Sequence, residues 1–576
     1  MRTKWYLLGC FSSIIILILL IILGVTQIAK LSKTKIEPRV SEDSVLHMNL
    51  SGLFEDYSVI TDRNFSFFPD TAHDIILKIT SAKEDSRIKA IILEPQGIQA
   101  DYALLNEMID AFKDFKTSGK KVYGYITMAT QKDIYLLSIA DAVYMNPSAS
   151  AGFILHGVGG TIDFYKDMLD KIGIEIHVIK AGDYKAAGEP FTRNSMSPEF
   201  RKNITLIYDD IYNRLLNDLS SNYGATNAQL KNVIERSNRL IINQEKGKEI
   251  KIVDDLIFFD QFLKMINTSE SKLLKYDKYE PIPPKQQYNR VAVLYALGSI
   301  TPTKPQFGEN NINSKQVIKT LEKLERDSNI KAIVIRINSG GGSALESEII
   351  YNKIAQVREK KPVVVSMGGV AASGGYYIAT PANFIFADPY TITGSIGVFS
   401  MIPDLSKTAQ KIGIKSELVG HGKYLSTFSF WDMYNEDTEQ AFQAMVNDVY
   451  HEFKTRVSDA RKIDYADVES IAQGQVWSAQ RAKQYKLIDE IGSLTDAINK
   501  AASIASISNY SISYFPERKT FFNVFIEENL NFPMMKLLLT KNLPEYLSQP
   551  SEDFINLYED VQQHPIQMRL EYDIKK

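Results

Sequence analysis

The 576-residue chain repeats itself, and the repeat limits its fold more than any other feature. Val45–Gly52 (VLHMNLSG) echoes Val291–Gly298 (VAVLYALG), and Ser86–Leu93 (SRIKAIIL) echoes Ser328–Ile335 (SNIKAIVI). Ala140–Pro147 (ADAVYMNP) echoes Ala382–Pro389 (ANFIFADP), and Lys171–Lys185 (KIGIEIHVIKAGDYK) echoes Lys411–Leu425 (KIGIKSELVGHGKYL). The partners keep their order at an offset of 240–246 residues. Ordered self-similarity at a steady offset marks duplicated structural units. A chain of this length also exceeds what one hydrophobic core serves. Tyr276–Asn289, with Pro281, Pro283 and Pro284, reads as the linker between the copies.

Within a copy, strand and helix patterns alternate. Ala332–Ile337 is a buried strand by its apolar run, Leu345–Val357 has helical spacing, and Pro362–Val365 is another short strand. Gly368-Gly369 and a helix ending at Pro381 follow, then a strand at Phe384–Phe386. This order predicts an α/β fold with mostly parallel strands. Pro198–Leu219 and Glu439–Arg461 read as long helices after each core. The expected division is an N-terminal repeat at 45–280, a C-terminal repeat at 290–510 and an aromatic, amphipathic extension at 511–576 with no assigned role.

Trp5 to Ala29 carries no charge, and Ile14–Leu23 is all Ile and Leu. At a helical rise of about 1.5 Å these residues span roughly 37 Å, enough to cross a bilayer. The run is long for a signal peptide, and no clean small-x-small cleavage site follows it. Leu7-Leu8-Gly9-Cys10 resembles a lipoprotein box but precedes the apolar run, which argues against lipidation. Arg2 and Lys4 on one side and Lys30, Lys33 and Lys35 on the other leave the orientation open. Cys10 is the single cysteine, so no intrachain disulfide and no thiol nucleophile in the soluble part are expected. A net charge of −3 gives no bulk attraction to nucleic acid.

The two copies differ where chemistry is expected. The C-terminal copy carries Ser339-Gly340-Gly341-Gly342-Ser343 after its first strand, where the N-terminal copy has Glu94-Pro95-Gln96-Gly97-Ile98. A glycine run lets bare N–H groups face a ligand, although a plain strand-to-helix turn uses the same residues. Ala371-Ala372-Ser373-Gly374-Gly375 follows a buried strand and opens a helix. Ser373 is therefore either an N-cap or a nucleophile whose oxyanion is held by the N–H of Gly374 and one from Gly341 or Gly342. In the other copy the ungapped counterpart is near Gln131, which lacks the hydroxyl.

A serine nucleophile needs a base. None of the seven histidines (His47, His73, His156, His177, His421, His451, His564) lies in a serine-hydrolase context, and His451-Glu452 lacks the second histidine of a zinc site. A lysine can serve if burial keeps it neutral. Lys185, in Gly182-Asp183-Tyr184-Lys185-Ala186-Ala187, is flanked by small residues and matches Leu425 in the other copy. One copy thus keeps a lysine without the serine, and the other keeps the serine without the lysine. A composite site follows if copies or neighbouring subunits face each other.

Asn338-Ser339-x-Gly341-Gly342-Ser343, then Ala372-Ser373-Gly374-Gly375-Tyr376, then Thr393-Gly394-Ser395-Ile396-Gly397-Val398 resembles signal peptide peptidase A. Tyr184-Lys185 with Glu189-Pro190-Phe191 and Met196-Ser197-Pro198 resembles the lysine segment of its long tandem form, and the likeness covers roughly residues 5–510. Gly340 departs from the proline common there. The resemblance implies a Clp-protease/crotonase-like fold and a Ser/Lys dyad of Ser373 and Lys185, with Ser395 hydrogen-bonding the lysine. It also implies remnant signal peptides as substrates. A homotetramer anchored in the bacterial inner membrane is implied too, with its catalytic bowl on the periplasmic side.

No metal, nucleotide or organic cofactor is expected; Gly420-His421-Gly422-Lys423-Tyr424 lacks the spacing and terminal Ser/Thr of a phosphate loop. Three other readings stand beside this one. An acyl-CoA enzyme of the crotonase type needs neither the anchor nor Lys185. A non-catalytic scaffold has no need to keep Ser373 and Lys185. A cytosol-facing protease shares the chemistry and differs only in topology.

Overall fold

The computed structural model describes residues 40–60, 70–282, 287–303, 310–429, 431 and 434–520, and the backbone of 567–569. The anchor expected at 5–29 lies outside these residues; among the described ones no helix is long and apolar enough to cross a membrane.

Each copy forms a parallel sheet with the same strand order. In the N-terminal copy the order is Asp255–Leu256, Ala142–Met145, Lys121–Ile126, Ile88–Leu93, Ser44–Met48, Leu273–Lys275. In the C-terminal copy Glu490–Ile491, Phe384–Ala387, Val363–Ala372, Ile330–Ser339, Arg290–Leu297 and Ser511–Phe515 follow in the corresponding positions. Central strands such as Ile330–Ser339 are apolar along most of their length because helices cover both faces. Side-chain caps set the helix starts. Asp101 accepts the N–H of Leu104 at 2.7 Å to open Tyr102–Lys116, and Ser343 caps Ala344–Arg358.

The strand expected at Pro362–Val365 runs on to Ala372. Its first part pairs with Phe384–Ala387 and its last residues pair with Ile392–Gly394. Gly368 and Gly369 do not turn the chain; Gly369 makes room for the other copy and Gly368 for Arg336 of its own. A Cβ on Gly369 would sit 2.5 Å from Asp101 Oδ2, and one on Gly368 would sit 3.2 Å from the Arg336 guanidinium.

The copies are joined along three lines. The N-terminal strand Glu175–Ala181 pairs antiparallel with Val398–Asp404, from Glu175 opposite Asp404 to Ala181 opposite Val398. Ile179 and Ala181 are thereby buried in the C-terminal core. The long helix Pro198–Tyr223 lies against Val476–Ser478. There Asn203 exchanges two hydrogen bonds with Val476, and Asp210 takes both arms of Arg481 and the Ser478 hydroxyl.

The third line is a buried polar network. Arg336 is 1% exposed and donates to Asp56 at 2.9 Å and Ser366 at 3.0 Å, and it pairs with Glu107 at 2.6 Å. Asn338 bridges Asp56 and Asp101, and Asn106 donates to Asp388. Burial pushes Glu107 up to about 8 and Asp388 up to about 7. A carboxyl with a raised folded-state pKa binds its proton more tightly when folded. Its stabilising effect is full below the unfolded value and is lost as pH rises through the folded one. Thermal melts are therefore expected to drop between pH 5 and 8. Burial raises Asp101 as well, so Asp388→Asn, which removes one of three titrations, is expected to reduce that slope by roughly a third.

Candidate active site

Ser373 sits where Val363–Ala372 ends and the helix Gly374–Ala379 begins. Its backbone is at φ 55°, ψ −119°, a region that L-residues occupy only under constraint. Its N–H donates to Gly394 O at 2.8 Å, and its carbonyl accepts the N–H of Tyr377 at 2.9 Å. The hydroxyl makes no cap bond to the helix. It accepts instead from Lys185 Nζ at 3.1 Å. The N-cap reading is thus displaced, because the turn aims the side chain away from the helix it opens.

Lys185 is 1% exposed. Its amine also donates to Ser395 Oγ at 2.8 Å and to the Ser395 carbonyl at 3.4 Å, and it stands 5.9 Å from the centre of the Phe399 ring. Ser395 is fully buried at φ 50°, with its N–H on Gln475 O. The three groups come together within a single chain, with Lys185 and Ser373 188 residues apart in sequence. No described histidine bonds Ser373: His47 pairs with Glu94, His451 with Tyr465, and His177 stacks on Tyr434.

The lysine segment is held from both sides. Glu189 accepts the N–H and hydroxyl of Ser197 at 2.8 and 2.5 Å, tying the stretch after Lys185 to the start of the long helix. From the C-terminal copy, Gln473 O accepts the Tyr184 N–H at 2.9 Å, and Gly474 packs on Lys185 itself. A Cβ on Gly474 would lie 2.7–2.8 Å from the N, Cα and Cβ atoms of Lys185, and its φ of +80° favours glycine besides. Sequence reasoning missed this loop, since a lone glycine in Ala472-Gln473-Gly474-Gln475 looks like any turn.

The glycine run lies beside the serine. Gly341–Ser343 is a short strand, and Gly342 pairs with Ile300 so closely that a Cβ would sit 2.1 Å from its carbonyl oxygen. The Gly341 N–H is bonded to Ser339 Oγ at 3.1 Å, and Gly374 provides the first N–H of the helix.

The N-terminal copy holds the worn counterpart, and here one expectation is corrected. The residue capping its helix Gln131–Leu137 is Thr130, so a hydroxyl is present, but it is bound up in a capping box with Asp133. Thr130 has ordinary extended backbone, unlike Ser373. The carboxylate of Asp133, fully buried, accepts the N–H groups of Gly97, Ile98 and Thr130 at 2.7–2.9 Å. Ile98–Gln99 occupies the place in this copy that Gly341–Ser343 occupies in the other. An anion-accepting nest is thus filled by the protein's own carboxylate. One turn into the corresponding C-terminal helix stands Tyr376, whose hydroxyl reaches away to Leu487 O.

A cleft of about 810 Å³ opens next to these groups between the copies, lined among others by Tyr102, His156, Phe191, Leu297, Gly341 and Phe399. One cluster among the described residues has metal-ligand character: Glu175, His177 and Asp404, with ligand atoms within 4.8 Å of one another. It lies at the far end of the strand pair from Ala181, and the Lys407 ammonium already pairs with Glu175.

A strained, lysine-bonded serine between two α/β units places the chain in the class of serine peptidases. The model of peptidase family S49 matches residues 114–273 and 355–508, more than half of the chain, and the Clp protease model matches 287–385. Over 534 residues the chain is 30% identical to Protease 4 of Haemophilus influenzae, covering 86% of each. It is 32% identical to Protease 4 of Salmonella typhi, covering 79% of the chain and 75% of the relative. It is 30% identical to the chloroplastic serine protease SPPA of Arabidopsis thaliana, covering 81% and 70%. The chain belongs to peptidase family S49.

Proposed function

We propose that the chain is a membrane-anchored endopeptidase that degrades remnant signal peptides through a Ser373/Lys185 dyad. The observation that carries this reading is the buried 3.1 Å contact between the Lys185 amine and the Ser373 hydroxyl. Burial disfavours a charged amine, so Lys185 acts as a neutral base. It takes the Ser373 proton as Oγ attacks the peptide carbonyl, then passes it to the leaving nitrogen. A water, deprotonated by the same amine, hydrolyses the ester. Ser395 holds the amine in line by its 2.8 Å contact.

The oxyanion is held by the N–H of Gly374 together with Gly341 or Gly342. The Asp133 carboxylate in the equivalent nest of the other copy supports this, because it demonstrates what charge such a loop accepts. Peptide binds in the cleft beside Phe399. The segment 5–29 anchors the enzyme in the inner membrane, its catalytic part lies on the periplasmic side, and four copies assemble. These placements put the cleft where apolar peptides are released from the bilayer. No cofactor takes part.

The test uses the detergent-solubilised full chain with a synthetic signal peptide and, separately, a folded globular protein. Mass spectrometry is expected to find the peptide cut within its apolar stretch and the folded protein untouched. A fluorophosphonate is expected to label the tryptic peptide carrying Ser373. An uncut signal peptide beside a hydrolysed generic ester would remove the substrate assignment, and label on any other serine would remove the nucleophile.

A further inference from the structure

We propose that Tyr450 is a positioning residue for the dyad: its hydroxyl holds the loop 473–475, and that loop holds both Lys185 and Ser395. This rests on the peptidase reading of Ser373. The loop grips the two segments through its backbone. Gln473 O accepts the Tyr184 N–H at 2.9 Å, the Gly474 N–H donates to Ile396 O at 2.8 Å, and Gln475 O accepts the Ser395 N–H at 2.6 Å. The fit is close on both sides. A Cβ on Gly182 would lie 2.4–2.7 Å from the backbone of Gln473, and one on Gly397 would lie 2.9 Å from Gly474 N and Cα. Gly474 itself packs on Lys185, so a movement of this loop carries the base and the serine that orients it.

The loop needs support from outside. Gln473 is held at φ 55°, in the left-handed region that a residue with a Cβ occupies under constraint. Its N–H donates to the Tyr450 hydroxyl at 3.0 Å. Tyr450 is buried in the helix Glu436–Arg461. Its oxygen is free to accept because its own proton is committed to Glu469 Oε1 at 3.1 Å. The other oxygen of that carboxylate takes the Lys454 ammonium at 2.6 Å. Lys454, one turn along the same helix, also stands 4.5 Å from the centre of the Tyr450 ring. The hydroxyl is thus fixed by a helix, a carboxylate and a cation, and it passes that fixity to the strained residue beside Gly474. Tyr450 acts through the loop and not on the reacting atoms.

The experiment compares the full-length wild type with Tyr450→Phe, which keeps the ring and removes the hydroxyl, on a short apolar peptide ester. Tyr465→Phe is the control, since it removes a hydroxyl that bonds His451 on the far side of the same helix. Tyr450→Phe is expected to lower kcat per folded molecule about tenfold, through a shift smaller than 1 Å in the proton-transfer geometry. KM is expected to stay within about twofold. The acidic limb of its pH–rate profile is expected to move to higher pH, because a looser pocket lets water reach the Lys185 amine and eases its protonation. Tyr465→Phe is expected to match the wild type in all three. An unchanged kcat in Tyr450→Phe would overturn the assignment, as would a lower melting temperature with kcat retained. A lower kcat with the acidic limb unmoved, or an equal loss in Tyr465→Phe, would overturn it too; each of these leaves the peptidase reading standing. A wild type inactive on the ester would take down the peptidase reading and this inference with it.

Discussion

Replacing Lys185 by Met is expected to lower kcat for a short apolar peptide ester by about 10³-fold or more, with little change in KM. Methionine keeps an unbranched side chain of similar reach in the pocket beside Phe399 and removes the amine that contacts Ser373. Nothing in the substrate-lining walls changes, so ground-state binding persists while proton removal is lost. Lys185→Arg is expected to fail almost as completely, because a guanidinium stays protonated and cannot accept the serine proton. Fluorophosphonate labelling of Ser373 should fall in parallel with kcat, since phosphonylation needs the same activated oxygen. A Lys185→Met enzyme with kcat within a factor of ten of wild type would dismiss lysine as the base.

The second large effect is expected from Gly474→Ala, a change that touches no reacting group. Its Cβ would lie 2.7–2.8 Å from three atoms of Lys185, all backbone or Cβ, and such atoms have no rotamer into which to retreat. The lysine segment must shift, and a displacement of about 1 Å in a proton-transfer geometry is worth roughly 10² in rate. A kcat lower by about that factor, with KM retained, is the expected result. A structural defect alone would lower the melting temperature and leave the kcat of the folded fraction unchanged. Measuring both in one preparation separates the two, and unchanged kcat per folded molecule would deny Gly474 its positioning role.

Much of the molecule was legible from residue order. Duplication, parallel strands and the split of lysine and serine between copies all follow from apolar spacing and from comparing aligned residues. Ser373 could be singled out because a serine between small residues at a strand-to-helix turn has few uses. Ser395 was reachable only through family resemblance, since its own neighbourhood signals nothing. The strand was expected to end at Val365 but runs through Gly368-Gly369 to Ala372, because a glycine pair after an apolar run does not say whether the strand continues. Thr130 was overlooked because an ungapped alignment lands one residue away, on Gln131, and only the observed helix starts reveal the match.

Arg336 illustrates a different limit. It stands in the apolar run Ile330–Ile337 with nothing local to justify a charge there, and its partners Asp56 and Glu107 come from the other copy, more than two hundred residues earlier. Gln473–Gly474 escaped notice for the same reason, and the Asp133 carboxylate because the Gly97 and Ile98 N–H groups it accepts lie 35–36 residues back on a separate element.

The sequence by itself determined two α/β units, their elements, and which unit holds an amine and which a hydroxyl. Those properties are local: they depend on side-chain period, on caps, and on where backbone must bend. Only the tertiary structure decided that the two groups meet, and that they meet within one chain. That outcome depends on docking Glu175–Ala181 along Val398–Asp404 and the long helix onto Val476–Ser478, contacts whose partners are hundreds of residues apart. Such contacts are selected by complementary shape and by buried polar pairing, which no stretch of sequence carries alone.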